Sequence, residues 1–306
     1  MVVAAAPGPF CVSGCDVGVI TKIEWCDSSL NMQMGCDGCE LWAGDIRMCY
    51  AGVLHERYGG RSGWPKSFDK PALFPDRLNT ALRWPDLTGQ DRSQKPWLNG
   101  LPRLIFLNDM GDTFTESLPV DWLAPYLPKM EASSHQWLIL TKRAKRMREF
   151  FSGSCPPNVW LGVSVTDQRT ADMRIPHLLQ IPARVRFVSV EPMLAPVDLS
   201  RWMDLLYLSR GWVKQARWEG SGIDWVICGS ESGPHARHCD LDWVRGLRNQ
   251  CQAAGVAFFW KQYVEHGLKI PTPALDGRQW LEHPLSEGVE PIRGRATGRL
   301  ELEVVG

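Results

Sequence analysis

The chain has 306 residues, of which 44% are hydrophobic, and its equal numbers of basic and acidic residues give a formal net charge of zero. This length suffices for one large core or two modest ones. Zero net charge excludes a protein that coats nucleic acid by bulk electrostatic attraction, although a local basic face remains open. No apolar run approaches the roughly 20 residues of a membrane span, and the N-terminus lacks a secretory leader, so we expect a cytoplasmic protein.

Ten cysteines are unevenly distributed, with six in the first fifty residues and four scattered through the rest. In a chain without a secretory leader, this clustering favours metal or cluster ligation over disulfides. Fifteen tryptophans are unusually many. Some must lie in the core, but indole faces also suit stacking against a flat ligand or base.

The predicted elements begin with a flexible lead over residues 1–18 and a first strand over residues 19–25. A cysteine-rich loop follows, and then a helix over about 50–58. Residues 59–100 are rich in Gly, Pro, Trp and charge, which predicts a long surface insertion with one short helix at about 75–84.

From residue 103 onward, short apolar runs alternate with helical patterns. The runs that predict strands are 103–107, 137–140, 159–163, 186–190, 225–228 and 256–260. The patterns that predict helices are 120–132, 145–151 and 241–254, the last with a cap at Asp240 or Asp242 and a stop at Gly255. Such alternation indicates parallel strands joined by right-handed crossovers.

With the first strand, seven strands spaced by roughly 20–40 residues predict an α/β fold, built as a full or partial parallel β/α barrel over residues 19–263. An open doubly wound sheet is the alternative. Residues 264–306 are predicted to form a C-terminal appendage, whose final alternating run is compatible with a small hairpin.

Polar residues follow nearly every predicted strand, at the end where ligands bind in a parallel β/α fold. A single residue of this kind usually caps the next helix, but the whole set predicts a pocket where amines and carboxylates converge. The set comprises Asn108, Asp109, Asp112, Thr141, Lys142, Arg143, Ser164, Asp167, Glu191, Glu231, Lys261 and Gln262.

The cysteine loop follows the first predicted strand and therefore should open toward the same pocket. Cys36 and Cys39 form a Cys-x2-Cys turn, in which Gly35 and Gly38 allow the backbone to curl around a ligand. With Cys49, three thiolates can hold a [4Fe–4S] cluster at three irons and leave the fourth iron open for a substrate or cofactor.

A structural zinc ion is the alternative reading of the same cysteines. Cys26 or His55 would complete its four ligands. Three buried thiols without any ligand are the remaining possibility. The spacing by itself does not choose between iron–sulfur and zinc.

Several segments together carry a resemblance to a known family. They are residues 23–27 (IEWCD) with Asn31 and Gly35-Cys36, 49–51 (CYA), 140–143 (LTKR), 162–165 (GVSV), 190–192 (VEP), 229–233 (GSESG) and 259–262 (FWKQ). Over most of residues 20–263 the chain resembles the three-cysteine phage proteins of phages and bacteria, which are related to radical S-adenosylmethionine (SAM) enzymes. One departure is that the family usually has Cys-x2-Cys before Tyr-Ala, where this chain has Ile46-Arg47-Met48-Cys49.

The resemblance implies a TIM-type barrel whose [4Fe–4S] cluster, reduced by an external electron donor, cleaves SAM to a 5′-deoxyadenosyl radical that abstracts hydrogen from a substrate. It implies Cys36, Cys39 and Cys49 as the metal ligands. The implied SAM-binding residues are Asn108, Asp109 and Asp112 for the amine or ribose, Lys142 or Arg143 for the carboxylate, and Ser164 and Glu191 near the ribose. Those implied to face the substrate as catalytic candidates are Glu191, Glu231 and Lys261, with Gln262 beside them.

The phage association in this resemblance implies modification of a nucleobase, for example a hypermodified thymidine in DNA, in the host cytoplasm. Basic residues interleaved with Trp are compatible with a phosphate-and-stacking surface. A solvated helix face explains the first of the two basic groups equally well. The groups are Lys142, Arg143, Lys145, Arg146 and Arg148, and Arg57, Arg61, Lys66, Lys70, Arg77 and Arg83.

Three hypotheses therefore compete at the level of sequence. The first is a radical SAM enzyme that acts on nucleic acid or a nucleotide. The second is a radical SAM enzyme that acts on a small metabolite or peptide. The third is a zinc-stabilised nucleic-acid-binding protein without catalysis.

Overall fold

The structure is a computed structural model that describes residues 21–42, 48–203, 222–233 and 235–284. Its α-helices are α1 (Tyr50–Tyr58), α2 (Arg77–Ala81), α3 (Leu127–Glu131), α4 (Ala144–Phe150), α5 (Gln168–Leu178), α6 (Ser200–Met203) and α7 (Leu241–Ala254). Its strands are β1 (Ser28–Leu30), β2 (Gln33–Met34), β3 (Ala72–Leu73), β4 (Leu104–Leu107), β5 (Gln136–Thr141), β6 (Val159–Val165), β7 (Arg186–Val190), β8 (Trp225–Gly229), β9 (Ala257–Glu265), β10 (Leu268–Pro271), β11 (Ala274–Leu275) and β12 (Arg278–Gln279). Two 3-10 helices lie at Pro96–Leu98 and Ala124–Tyr126.

Eight strands form one curled sheet with the order β1-β4-β5-β6-β7-β8-β9-β10, which makes a half-barrel. All neighbours pair in parallel except β10, which runs antiparallel to β9. The strands β1 and β10 are the two edges of this sheet. The predicted mixed α/β fold with a mainly parallel sheet is confirmed in this half-barrel form.

The two faces of the sheet bury different parts of the chain, because side chains alternate along each strand. One face packs against the helices, with α4, α5 and α7 contributing residues such as Met147, Ile175 and Leu247. The inner face has an aromatic core that includes Trp160 and Trp225.

Trp25 fills the centre of that inner face. Its ring centroid lies 4.7 Å from Phe106, 6.0 Å from Trp225 and 6.2 Å from Phe187. Gly162 makes room for Phe187, since a Cβ at Gly162 would lie 2.4 Å from that ring. Trp25, which comes from outside the strands, thus packs among side chains that the strands direct to the inner face.

The predicted first strand at residues 19–25 is wrong in the part that the structure describes. The chain enters the sheet only at β1, and residues 21–25 are irregular. The ammonium group of Lys95 donates hydrogen bonds to the carbonyls of Thr21 (2.9 Å) and Ile23 (2.6 Å), so these groups do not need a neighbouring strand. Trp25 turns into the inner aromatic core instead of continuing a strand.

The helices agree with the sequence where their ends carry clear signals. The bounds of α1 and α7 match those predicted, and α7 begins at an Asp240 cap and ends at Gly255 with φ 65°. The predicted helix at 120–132 is wrong, because Pro125 and Pro128 divide it into a 3-10 turn and the short α3. The helix α5 was not predicted.

Beyond residue 263, the strand β9 continues to Glu265 and turns back into β10. The strands β11 and β12 form a second small hairpin. The lead over residues 1–18, Cys11, Cys15 and the final alternating run lie outside the described residues. Within the described part, no helix has the length and apolar character needed to cross a membrane.

His283 lies fully buried on the inner aromatic core, with its ring 4.3 Å from that of Trp225 and 5.3 Å from that of Trp160. Burial, reinforced by the charge of Arg92, lowers the pKa of His283 to about 3. The neutral imidazole is therefore the form that the fold accommodates.

Acidification should destabilise the protein through this one histidine. The unfolded side chain titrates near pH 6.5, so the contribution of neutral His283 is complete above about pH 6.5 and is lost as the pH falls toward 3. From pH 7 to pH 5, the free energy of unfolding should fall by about 2 kcal/mol more in the wild type than in His283→Phe. Urea unfolding of both proteins at the two pH values tests this, and equal pH dependence would contradict it.

Candidate functional site

A cavity of about 320 Å³ opens at the carboxyl ends of the parallel strands. Its volume lies at the lower end of the range of about 300–1,000 Å³ that is usual for ligand pockets. The structure brings together at this rim many residues that the sequence analysis selected. These are Cys49, Asp109, Asp112, Thr141, Lys142, Ser164, Glu191, Glu231, Lys261 and Gln262.

Five of the predicted pocket and loop residues do not line this cavity, namely Asn108, Arg143, Asp167, Cys36 and Cys39. The side chain of Asn108 accepts a hydrogen bond from the Gln33 amide (2.9 Å) and donates one to the Thr113 hydroxyl (2.9 Å). Asn108 itself has a φ of 63°, and its side chain stabilises the turn after β4 rather than facing a ligand.

The cysteine loop is closed by its own backbone. The Leu41 carbonyl accepts hydrogen bonds from the amides of Met48 (3.0 Å) and Cys49 (3.1 Å). These bonds join the chain before and after residues 43–47, which lie outside the described part. Cys49 is the residue that precedes α1, and its side chain reaches the cavity. The Cys39 carbonyl accepts a hydrogen bond from the Trp42 amide (2.9 Å), which fixes the turn after the Cys-x2-Cys pair.

The three thiols interact with one another and with nearby cations. Burial raises the pKa of Cys36 to about 11, against the opposing charge of Arg143. Burial also raises the pKa of Cys49, while the amide of Gly52 at the start of α1 and the charge of Lys142 act in the opposite direction. Cys39 is close enough to interact electrostatically with both other thiols.

Asp112 organises the rim rather than facing a ligand freely. One carboxylate oxygen accepts hydrogen bonds from the Thr141 hydroxyl (2.5 Å) and the Phe114 amide (3.0 Å). The other accepts from the Lys142 amide (2.9 Å) and the Arg143 guanidinium (3.2 Å). Asp112 therefore sets the direction of the turn that follows β5.

Asp109 accepts a hydrogen bond from the Asn31 amide group (2.7 Å) and lies beside the Tyr50 hydroxyl, which donates to the Asp109 carbonyl. Burial raises the pKa of Asp109, although these hydrogen bonds oppose the shift. Cys49, Tyr50 and Asp109 all line the cavity.

Two further carboxylates on the wall are held in ion pairs. The ammonium group of Lys261 donates a hydrogen bond to the Glu191 carboxylate. Burial alone would lower the pKa of Lys261, but nearby negative groups, with Glu191 first among them, outweigh it and raise that pKa. Both oxygens of Glu231 accept from the Arg237 guanidinium, at 2.6 and 2.8 Å. Glu231 therefore shapes the wall, whereas the Lys261 ammonium group retains two further N–H donors for a ligand.

The completing ligands of the zinc alternative are occupied elsewhere. Cys26 is fully buried in the inner aromatic core, which raises the pKa of its thiol. The His55 ring contacts the Pro65 carbonyl (2.9 Å) and packs near Trp64 and Phe68. Among the residues that the structure describes, no three His, Cys, Asp or Glu side chains are grouped as ligands of a single metal ion.

Several basic residues assigned to a phosphate surface are used within the fold. Arg77 donates to the carbonyls of Asn31 (2.7 Å) and Gly63 (2.6 Å), and Arg146 donates to Glu116 (3.1 Å). Every tryptophan in the described ranges is at least partly buried, and five of them are at most 2% exposed. Among the described residues, the indoles therefore serve mainly the core.

Sequence reasoning missed several residues of the site. Tyr50 could have been found, because it adjoins Cys49 in the Cys-Tyr-Ala segment. Glu24 and Lys269 also line the cavity and form an ion pair (2.8 Å) between the segment before β1 and the strand β10. Since β1 and β10 are opposite edges of the sheet, no local pattern in the sequence indicates that contact.

Gly35 lies at the entry to the cysteine loop with φ 92°, and a Cβ there would lie 2.7 Å from the Phe68 carbonyl oxygen. Gly35→Ala should therefore destabilise the protein by more than the roughly 1–2 kcal/mol that a left-handed backbone costs an L-residue. Gly60→Ala is the matched control, since Gly60 has φ 76° but no atom within 4 Å of its Cβ position. Urea unfolding of both variants tests this, and equal losses of stability would show that the Phe68 contact does not matter.

The fold and the cavity define a half-barrel α/β protein with a polar cavity at the carboxyl ends of its strands and a cysteine loop beside that cavity. The family model described as "Protein of unknown function (DUF5131)" matches residues 20–286, and the chain belongs to that family. No curated protein and no solved structure matches the chain. The family description assigns no activity.

Proposed function

We propose that this protein is a radical SAM enzyme whose cysteine loop holds a [4Fe–4S] cluster through Cys36, Cys39 and Cys49. The observation that supports this most is the position of Cys49, which lines the cavity together with Lys142, Glu191 and other polar groups. A cluster held there would face the rim where the parallel strands end. On this proposal the half-barrel belongs to the radical-SAM type of β/α barrel.

The arrangement of the thiols fits a cluster better than a single zinc ion. In a [4Fe–4S] cluster each thiolate binds a different iron, so the three sulfurs do not need to converge on one point. A zinc site would need a fourth ligand, but Cys26 is buried in the inner aromatic core and His55 contacts the Pro65 carbonyl, which favours the cluster over zinc. The raised pKa values of Cys36 and Cys49 mean that both thiols release protons when they bind metal.

When bound and reduced, the cluster would supply the one electron that cleaves SAM into methionine and a 5′-deoxyadenosyl radical. Lys142 lies near Cys49, and its ammonium group makes no ion pair within the described ranges, so it can bind the SAM carboxylate. Asp109 and Ser164 can accept hydrogen bonds from the amine or ribose. The ammonium group of Lys261, held by Glu191, is left to bind the substrate.

Within this proposal the substrate is a nucleobase. A nucleobase has flat faces and polar edges, which a small polar cavity can bind. A base within duplex DNA would have to be flipped out to enter. In the two basic groups named above, the exposed cations that remain available for phosphate contacts are Arg57, Arg61, Lys66, Lys70, Arg83 and Lys145. A small metabolite or peptide is the second candidate substrate. It is favoured by the fact that Arg77, Arg146 and most described indoles make contacts within the fold and are not left to bind nucleic acid.

Anaerobic reconstitution followed by iron, sulfide and zinc analysis tests the proposal. We expect about four irons and four sulfides per chain. About one zinc per chain with no iron would instead support the zinc-stabilised binding protein. Steeply salt-dependent binding to DNA would distinguish a nucleic-acid substrate from a small metabolite.

A further inference from the structure

The cysteine loop is attached to the barrel at three residues that are not cysteines. These are Asp37, Gly38 and Glu40, which alternate with Cys36 and Cys39 along the chain. Each attachment comes from a different part of the fold. The sulfur atoms are therefore carried on a backbone whose position is fixed by groups other than the thiols themselves.

Asp37 anchors the first part of the loop to the segment that follows β4. Its amide donates to the Thr115 hydroxyl (3.2 Å), and its carboxylate accepts from that hydroxyl and from the Ser117 amide (3.0 Å). Glu40 anchors the last part to α5, since both of its oxygens lie 3.0 Å from the Arg174 guanidinium. Arg174 also donates to the Ser164 carbonyl (2.8 Å) at the end of β6.

Arg143 makes the central attachment. One end of its guanidinium donates to the Gly38 carbonyl, between the two cysteines, and the other donates to Asp112 (3.2 Å). Its own amide donates to the Thr141 hydroxyl (2.9 Å), which in turn donates to Asp112. The side chain is only 13% exposed, so its charge is weakly screened by solvent.

The charge of this guanidinium acts on the thiols as well as on the backbone. Arg143 interacts electrostatically with both Cys36 and Cys39, and together with Asp112 they raise its pKa despite burial. A guanidinium remains protonated at any physiological pH and presents donors in a rigid fork. A lysine at this place would keep the charge but could not reproduce both contacts.

We propose that Arg143 is a positioning residue that holds the Cys36–Cys39 turn in place before metal binds and offsets the negative charge of the thiolates afterwards. Its role is therefore not to bind the SAM carboxylate, which leaves that role to Lys142. The charge-offsetting part rests on the proposed function, whereas the holding part does not. Reduction of a bound cluster by one electron from an external donor adds negative charge beside this cation, so the cation favours the reduced form.

Hydrogen–deuterium exchange of metal-free protein tests the holding part. Loss of a hydrogen bond to a charged group costs about 1.5–3 kcal/mol. In Arg143→Gln, the amides of residues 36–42 should therefore exchange about tenfold faster or more, while those of β5 and β6 keep their wild-type rates. Arg146→Gln, within the helix α4 that follows Arg143, is the matched control, because Arg146 contacts Glu116 and the Leu118 carbonyl rather than the loop.

Arg143→Lys keeps the positive charge but loses the forked hydrogen bonds, so it separates the effect of charge from that of geometry. It also replaces Arg143→Gln in the experiment if that variant does not fold. In Arg143→Lys the loop should still exchange faster than in the wild type, but the reduction potential of the reconstituted cluster should stay near the wild-type value. In Arg143→Gln that potential should become more negative. Wild-type loop exchange in both variants would overturn the proposal, and an unchanged potential in Arg143→Gln would overturn its electrostatic part.

Failure of the proposed function has a different signature. If the wild type takes up no iron, the cluster assignment fails, yet the exchange experiment on metal-free protein still decides whether Arg143 holds the loop. If iron binds and exchange is unaffected by either variant, the cluster assignment stands and Arg143 is not its positioning residue.

Discussion

Cys49→Ala should abolish cluster loading while leaving the half-barrel folded. Cys49 stands at the start of α1 on the wall of the cavity, and it is only partly buried, so removing its sulfur leaves no large void in the core. A cluster that loses one of three protein thiolates loses one of its few covalent attachments. Iron bound per chain after anaerobic reconstitution should fall from about four to near zero.

Cys155→Ala is the control for this experiment. Cys155 is also a partly buried, reduced cysteine, but it lies before β6 near the Val159 carbonyl and does not line the cavity. It should bind as much iron as the wild type. Full iron content in Cys49→Ala would remove Cys49 from the ligand set and would leave the proposed position of the cluster without support.

Arg92→Ala should lower the free energy of unfolding by about 3–5 kcal/mol, because it leaves a buried carboxylate without its cation. Arg92 and Asp27 are 8% and 7% exposed, and the two side chains meet at 2.7 Å. The guanidinium also donates to the carbonyls of Leu101 (2.7 Å) and Pro102 (3.1 Å). It thereby joins the long insertion to the segment that carries Trp25.

The exposed ion pair between Arg201 and Asp172 provides the comparison. These side chains are 57% and 48% exposed, and pairs of this kind contribute about 0–1 kcal/mol. Urea unfolding monitored by tryptophan fluorescence should show a large loss for Arg92→Ala and a small one for Arg201→Ala. Equal losses would mean that Arg92 does not fasten the insertion.

The parallel strands could be predicted because each is short, apolar and buried on both faces. The predicted bounds 186–190 are those of β7, and the other predicted strands from residue 103 onward overlap β4, β5, β6, β8 and β9. The first strand, at residues 19–25, is predicted wrongly, because Trp25 packs into the inner aromatic core instead of continuing a strand. A short apolar run serves either purpose, and only tertiary contacts distinguish the two.

The helix α5 shows a second limit of sequence reasoning. Its start is marked by Asp167, which caps it together with Thr170 in reciprocal hydrogen bonds. Asp167 was grouped with the pocket residues because it follows a strand, and Pro176 within the helix interrupts the helical pattern. The capping role was the commoner interpretation of a single polar residue, and it holds for this one.

The candidate site could be located from sequence because parallel strands end at one rim, but the role of each side chain could not. Asp112, Arg143 and Glu231 carry the residue types expected for ligand binding, yet they spend their hydrogen bonds on other parts of the protein. Glu24 and Lys269 both contribute to the wall of the cavity, although they are 245 residues apart in the sequence (269 − 24). Such contacts depend on the curvature of the sheet, which no local sequence pattern encodes.

The most direct test of the central claim is the formation of 5′-deoxyadenosine by anaerobically reconstituted protein that is given SAM and a one-electron reductant. We predict that the wild type forms this product and that the variant with Cys36, Cys39 and Cys49 all replaced by alanine does not. Reconstituted wild-type protein that carries a full complement of iron but forms no 5′-deoxyadenosine, or equal formation by the triple variant, would contradict the claim.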